Sequence, residues 1–185
     1  DQNQAGGQWW LPQPQMLGTH QITKAGLAIA MLRSQSNVAV SYAGIKAGLE
    51  SASWPARMQR LSDGLLTSLA PGHTVWLDGG HNPSAGAAIA RLFEDGQLHL
   101  ILCMRDNKNP RALLEPLGDR VRTLQIVPVP AHDSHPALAF GNEAVARADL
   151  EEAMLNLPAD GNSVLIAGSL YLAGEALKLN DEVPD

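Results

Sequence analysis

Four short, nearly continuous apolar runs, each set beside a helical pattern, constrain the fold of this chain more than any other feature. They are TVWLD (74–78), LHLILCM (98–104), TLQIVPVP (123–130) and SVLIAG (163–168). Runs that are apolar at successive rather than alternate positions suit strands buried on both faces. Such strands separated by helices build a largely parallel sheet covered on both sides. The expected class is therefore α/β, a doubly wound and mostly parallel sheet.

The helical patterns carry their own start and stop signals. After the first run, Ala85, Ala88, Ile89, Leu92 and Phe93 form an apolar stripe at helical spacing, with Asn82 as N-cap, Pro83 at the first helical position and Gly96 as the stop. Asp149 and Glu152 fit a capping box, and a last helix is predicted from Ser169 to about Leu179. Upstream, Ile22, Ala25, Ile29 and Leu32 mark a helix that starts at Gly18, carries Arg33 near its end and is expected to pack on something further upstream. A second helical pattern, Tyr42 to Leu49, leads into SASWPARMQRL, where Pro55 halts it. A domain boundary is expected around residues 34–60. The polar opening DQNQAGGQWW, which starts at Asp1, reads as a piece cut from a longer protein, and the tail NDEVPD as frayed.

With 185 residues, 45% of them hydrophobic and 17% charged, the chain can bury a real core. A formal net charge of -6 offers no basic field for a phosphate backbone, so nucleic acid is not expected as a partner. No apolar stretch reaches the ~18 residues of a membrane helix, and the N-terminus lacks the layout of a secretory signal, so no membrane partner and a cytoplasmic location are expected. The single cysteine, Cys103, lies inside an apolar run and reads as a buried, inert thiol, compatible with a reducing cytosol.

In open α/β sheets, ligands bind beyond the carboxyl ends of the strands. LDGGHNP (77–83) occupies such a place. Gly79 and Gly80 permit a sharp turn, Asp78 can accept hydrogen bonds from ribose hydroxyls, and His81 and Asn82 stand at a helix start whose free amides favour anions. The competing reading is a tight turn in which Asp78 caps local amides. Arg57 can pair with a phosphate or form a surface ion pair. His20 and Gln21 open a helix and read as a cap. Asp106 and Lys108, at another carboxyl strand end, line the same cleft or a solvated loop. Gly168 and Ser169 form the last strand-to-helix turn, where a hydroxyl and free amides hold a carboxylate or simply cap the helix. His132, Asp133 and His135 have no helix or strand to fix their spacing, so no metal ligand is assigned. The sequence contains no G-x-S-x-G, H-E-x-x-H, strand-linked G-x-G-x-x-G or G-x-x-x-x-G-K-[ST].

Taken in order, LPQPQMLGTHQITKAGLAIAMLR, WPARMQRL, VWLDGGHNPSAG, LILCMRDNK and GSLYLAGE resemble the folylpolyglutamate synthase and dihydrofolate synthase family of the Mur ligases. The resemblance implies that residues 1–33 end a central ATPase domain, 34–59 form a linker, and 60–185 form a Rossmann-like C-terminal domain. It implies an ATP-dependent ligase that joins L-glutamate to dihydropteroate or to folyl(poly)glutamate through an acyl-phosphate, with ATP and Mg2+ as cofactors. The P-loop and the magnesium ligands belong to the missing N-terminal ATPase domain, so the fragment alone is expected to be inactive. Arg57 and Asp78 resemble the family's ATP contacts, and His81 and Ser169 its glutamate or substrate contacts. Lys24 stands where the resemblance implies an Asn near the nucleotide base, and Cys103 where it implies a Gly. A monomer is expected. Two alternatives come from the same residues: a free-standing nucleotide- or carboxylate-binding module without catalysis, and another Mur-type ligase.

Overall fold

A computed structural model of the chain describes residues 8–94, 96–129 and 132–183, which divide into two compact units between Trp54 and Pro55. The polar opening at 1–7 and the last two residues of the tail lie outside the described residues.

The first unit is a pair of helices, α1 (Thr19–Ser34) and α2 (Tyr42–Ser51). Helix α1 opens from Gly18, which at φ 105 has no side chain to cap it; a Cβ there would come within 2.7 Å of the His20 ring. The predicted apolar stripe is largely uncovered. Gln21 is the one buried residue of α1, whereas Ile22 and Leu32 are 47% and 40% exposed. Helix α2, capped by Ser41 accepting from the Gly44 amide at 3.0 Å, falls within the range expected as linker and belongs to this unit. Trp9 is held edge-on by Tyr42 and covered by the Arg33 guanidinium, 4.3 Å from its ring centroid.

The second unit is built on a six-stranded sheet. Its strands are β1 (Gln59–Arg60), β2 (Val75–Asp78), β3 (Leu98–Leu102), β4 (Val121–Ile126), β5 (Ala144–Ala146) and β6 (Ser163–Ala167), in the order β1-β2-β6-β3-β4-β5. Every pairing is parallel except β1 with β2. The predicted α/β sheet is present, and all four apolar runs are strands. Strand β4 starts at Val121 and stops at Ile126, because the prolines of VPVP lack the amide a ladder needs. The edge strands β1 and β5 are two and three residues long, too short to leave a pattern.

Alternate strand residues feed two apolar layers. On one face Leu77, Ile101, Val164 and Ile166 pack with α3 (Leu65–Ser68), α6 (Leu150–Leu155) and α7 (Leu170–Leu179). On the other, Leu98, Leu100, Leu102 and Leu165 pack with α4 (Pro83–Leu92) and α5 (Leu114–Leu117). Helix α4 begins as predicted, with Asn82 Oδ1 accepting from the Ala85 amide at 2.9 Å and Pro83 in the first turn. It ends four residues before Gly96, and its buried stripe is rotated from the predicted one. Gly86, Ile89 and Ala90 are buried while Leu92 is 38% exposed. The reason is a close approach: a Cβ on Gly86 would stand 2.6 Å from the Ala112 carbonyl, so α4 turns its smallest residue toward that segment. Asp149 caps α6 through the Glu152 amide at 2.7 Å.

Cys103 is 1% exposed, and burial pushes its thiol pKa up despite a side-chain hydrogen bond with Ser134. A disulfide-exchange reagent is therefore expected to leave Cys103 unmodified in the native chain and to label it stoichiometrically in denaturant; rapid native labelling would contradict the burial.

Candidate functional site

Strands β2 and β6 are neighbours, yet the helices that follow them go to opposite faces of the sheet, α4 to one and α7 to the other. Divergence of two connections leaves a crevice beyond the carboxyl ends of the two strands, where open α/β sheets place ligands. Asp78 pairs with Ala167 in the last register of this ladder, so Gly79 and Gly168 leave the sheet side by side. Both helices start at this edge, and both direct the positive end of their dipole toward it.

Asp78 is 7% exposed, and both of its oxygens are engaged. Oδ1 accepts from the Gly80 amide at 2.7 Å and Oδ2 from the Met58 amide at 2.9 Å. The second bond reaches back to the segment before β1, whose backbone takes a conformation that L-residues rarely adopt. Ala56 and Met58 have φ of 53 and 46, and the Gly79 amide donates to the Ala56 carbonyl at 2.9 Å. A left-handed pair of non-glycine residues persists only where surrounding bonds fix it. Asp78 and Gly79 supply those bonds, and they set the position of the residue between, Arg57.

Arg57 is half-buried, with Nη1 donating to the Ala56 carbonyl at 3.0 Å. A Cβ at Gly79 would stand 3.2 Å from Arg57 Nη1 and 2.3 Å from the Leu170 side chain, so only glycine leaves room for both. At Gly80 a Cβ would meet Ala85 at 2.6 Å. His81 is half-buried. Its Nδ1 lies 3.2 Å from the Gly79 carbonyl, which can only accept, so Nδ1 carries the proton and Nε2 is left for a ligand. Ser169 is 5% exposed and caps α7, its Oγ accepting from the Tyr171 amide at 3.1 Å.

The structure thus brings Arg57, Asp78 and His81 onto one lip, with Ser169 at the start of the adjoining helix. Asn82 is spent on capping. Asp106 and Lys108 are exposed on the loop after β3. Lys24 is exposed in the first unit, at the border of an apolar groove of about 400 Å³ between α1 and α2 lined by Met16, Ile29, Ile45 and Leu49. The two histidines of PAHDSHP part company: His132 stacks on Tyr171 with ring centroids 3.7 Å apart, and His135 Nε2 lies 2.7 Å from the Lys108 carbonyl. Sequence reasoning missed the Met58 amide as a partner of Asp78 and Leu170 as the side chain over Gly79. The signal for the first was the unusual crowding of Pro55, Ala56 and Arg57 before a two-residue strand.

No family model matches the chain. It is 31% identical over 175 residues to a Halobacterium salinarum protein described as a probable bifunctional folylpolyglutamate synthase/dihydropteroate synthase, a match covering 87% of this chain and 20% of that one. It is 28% identical over 171 residues to a Lacticaseibacillus casei folylpolyglutamate synthase, covering 85% and 38%. Among solved structures, the Mycobacterium tuberculosis folylpolyglutamate synthase complexed with ADP superposes with a TM-score of 0.77 at 23% identity, covering 95% of this chain and 42% of that one. The E. coli FolC complex with ADP gives 0.76 at 24%, covering 96% and 43%. The chain spans about a fifth to two-fifths of the length of these curated relatives.

Proposed function

The chain is a relative of folylpolyglutamate synthase, matching a part of that longer protein, and from this premise we propose that it forms one wall of an ATP-dependent glutamate ligase. The whole protein would join L-glutamate to dihydropteroate or folyl(poly)glutamate through an acyl-phosphate made from ATP. The observation that carries the reading is the crevice between β2 and β6, with Arg57 held over Gly79 by the bonds of Asp78.

The roles follow from the chemistry on that lip. Arg57 presents a permanent, forked cation to phosphate oxygens, where it offsets charge as ATP is consumed. Asp78, with both oxygens engaged by amides, acts first as the clasp that positions Arg57; a remaining lone pair can face the nucleotide. The amides at the start of α7 beside Ser169 suit a carboxylate, the charge glutamate carries, and His81 joins them as a donor when both of its ring nitrogens carry protons. These residues do not offer the open set of oxygen ligands that Mg2+ requires, so the ion that accompanies ATP belongs to groups outside this lip. The sequence holds no phosphate-cradling G-x-x-x-x-G-K-[ST] either, and this chain by itself is expected to support no ligation.

The test uses the whole protein. ATP consumption should require both glutamate and a reduced folate or dihydropteroate, and ATP turnover indifferent to both would overturn the ligase reading. Arg57→Ala should raise the KM for ATP by roughly 10- to 100-fold, the value of a charge-assisted hydrogen bond, with little change in unfolding temperature. Calorimetry on this chain alone separates the remaining reading: micromolar ATP binding would favour a self-sufficient nucleotide-binding module.

A further inference from the structure

At the opposite end of the same sheet, where the parallel strands begin, three groups from distant parts of the sequence meet. His73 lies in the loop before β2, His99 near the start of β3, and Asp160 in the loop before β6. One ring nitrogen of each histidine and one carboxylate oxygen of Asp160 lie within 4.8 Å of one another. Among the described residues this is the one such group of histidine, cysteine and carboxylate side chains. We propose that His73, His99 and Asp160 form a zinc-type metal site that ties together the starts of β2, β3 and β6.

The arrangement around the three side chains is that of a supported ligand set. Metal-bound imidazoles usually donate their second N–H to an oxygen, which fixes ring and tautomer. His73 Nδ1 lies 2.6 Å from the Asn162 carbonyl, which can only accept, so Nδ1 holds the proton and Nε2 is the lone-pair nitrogen. His99 is fully buried, with Nδ1 2.8 Å from Thr123 Oγ1 and Nε2 3.0 Å from Asp160 Oδ1. Without a metal, Nε2 faces the carboxylate as a donor, and the Thr123 hydroxyl can donate to or accept from Nδ1. With a metal on Nε2, the proton sits on Nδ1 and the hydroxyl accepts it. Asp160 is oriented in turn: Oδ1 accepts from the Asn162 amide at 3.0 Å, and Oδ2 pairs with Arg122 Nε at 2.9 Å.

The donor set selects the ion. Two imidazoles and one carboxylate suit Zn2+ and its neighbours rather than Mg2+ or Ca2+, and three protein ligands leave a fourth position for water. Metal–ligand bonds of about 2.0–2.2 Å in a tetrahedron set ligands roughly 3.4 Å apart, so His99 and Asp160, 3.0 Å apart, are already in range and His73 must close by at most roughly 1.4 Å. His73 is half-buried in a loop that follows Gly72 at φ 86, a place where the backbone can give. A hydrogen-bonded His99 and Asp160 alone would account for two of the groups. The third, His73, brings a ring nitrogen to the same place.

The site is independent of the ligase reading, and its test reads metal rather than activity. Metal-free chain of full length is titrated with Co2+, whose visible absorption reports four-coordination, and then with Zn2+ in competition. One equivalent of Co2+ is expected to bind and to be displaced by one equivalent of Zn2+. His73→Ala and Asp160→Asn, both changes at loop residues, should weaken binding by about 100-fold, whereas His132→Ala and His135→Ala should leave it unchanged. Failure of the wild-type chain to bind either ion at about 100 µM, or unchanged binding by His73→Ala and Asp160→Asn, overturns the proposal.

Discussion

Replacing Asp78 with alanine is expected to lower the unfolding free energy by about 3 kcal/mol, at roughly 1–3 kcal/mol for each buried amide left without its acceptor. For a chain of this size that is a fall in midpoint of roughly 10 °C. Both carboxylate oxygens accept from backbone amides, and Met58, the donor to Oδ2, is itself 6% exposed and cannot turn to water instead. The loss also frees Ala56 and Met58 from the left-handed conformation that holds Arg57 in place. Asp78→Asn should fall between, because the amide keeps one acceptor oxygen and points its NH2 at the other donor. Thermal unfolding without any nucleotide is the discriminating measurement. If Asp78 served only the nucleotide, neither substitution would move the ligand-free midpoint.

Gly168→Ala should cost about as much, near 4 kcal/mol, from a different cause. The residue sits at φ 96, and a Cβ there would lie 2.4 Å from the Cys103 carbonyl and 2.6 Å from the Leu102 side chain. Left-handed strain contributes roughly 1–2 kcal/mol and overpacking against backbone a further 1–3 kcal/mol. Gly72→Ala isolates the first part, since Gly72 has φ 86 and open space around its Cβ position. Chemical denaturation of both variants should show a loss of about 1 kcal/mol for Gly72→Ala and several times that for Gly168→Ala. Equal losses would mean that β3 and the β6 turn yield without cost.

The sheet was legible because β2, β3 and β6 are buried on both faces and therefore apolar almost throughout, a pattern that survives any detail of packing. The caps Asn82, Asp149 and Ser169 were legible because each needs only local backbone amides. What depended on contacts across the sequence was not. The rotation of the α4 stripe answers to Ala112, and the second bond of Asp78 to Met58, neither of which is near in sequence. The two readings kept for Asp78, ligand contact and turn cap, were both local; the clasp on a distant loop belongs to neither. His73, His99 and Asp160 were not singled out at all, because their spacing follows no motif and only parallel strand starts bring them together.

The placement of β6 between β2 and β3 also orders events in time. Val75 finds its sheet partner in Val164 and His99 lies beside Val164 as well, so the centre of the sheet waits until β6, which follows β2 and β3 in the chain, has been synthesised. Until that segment leaves the ribosome, β2 and β3 each present an open, apolar edge suited to pairing with a neighbouring chain. A nascent chain halted before residue 163 therefore carries two exposed edges where the folded sheet has an interior, and the hazard to this protein is greatest just before β6 emerges.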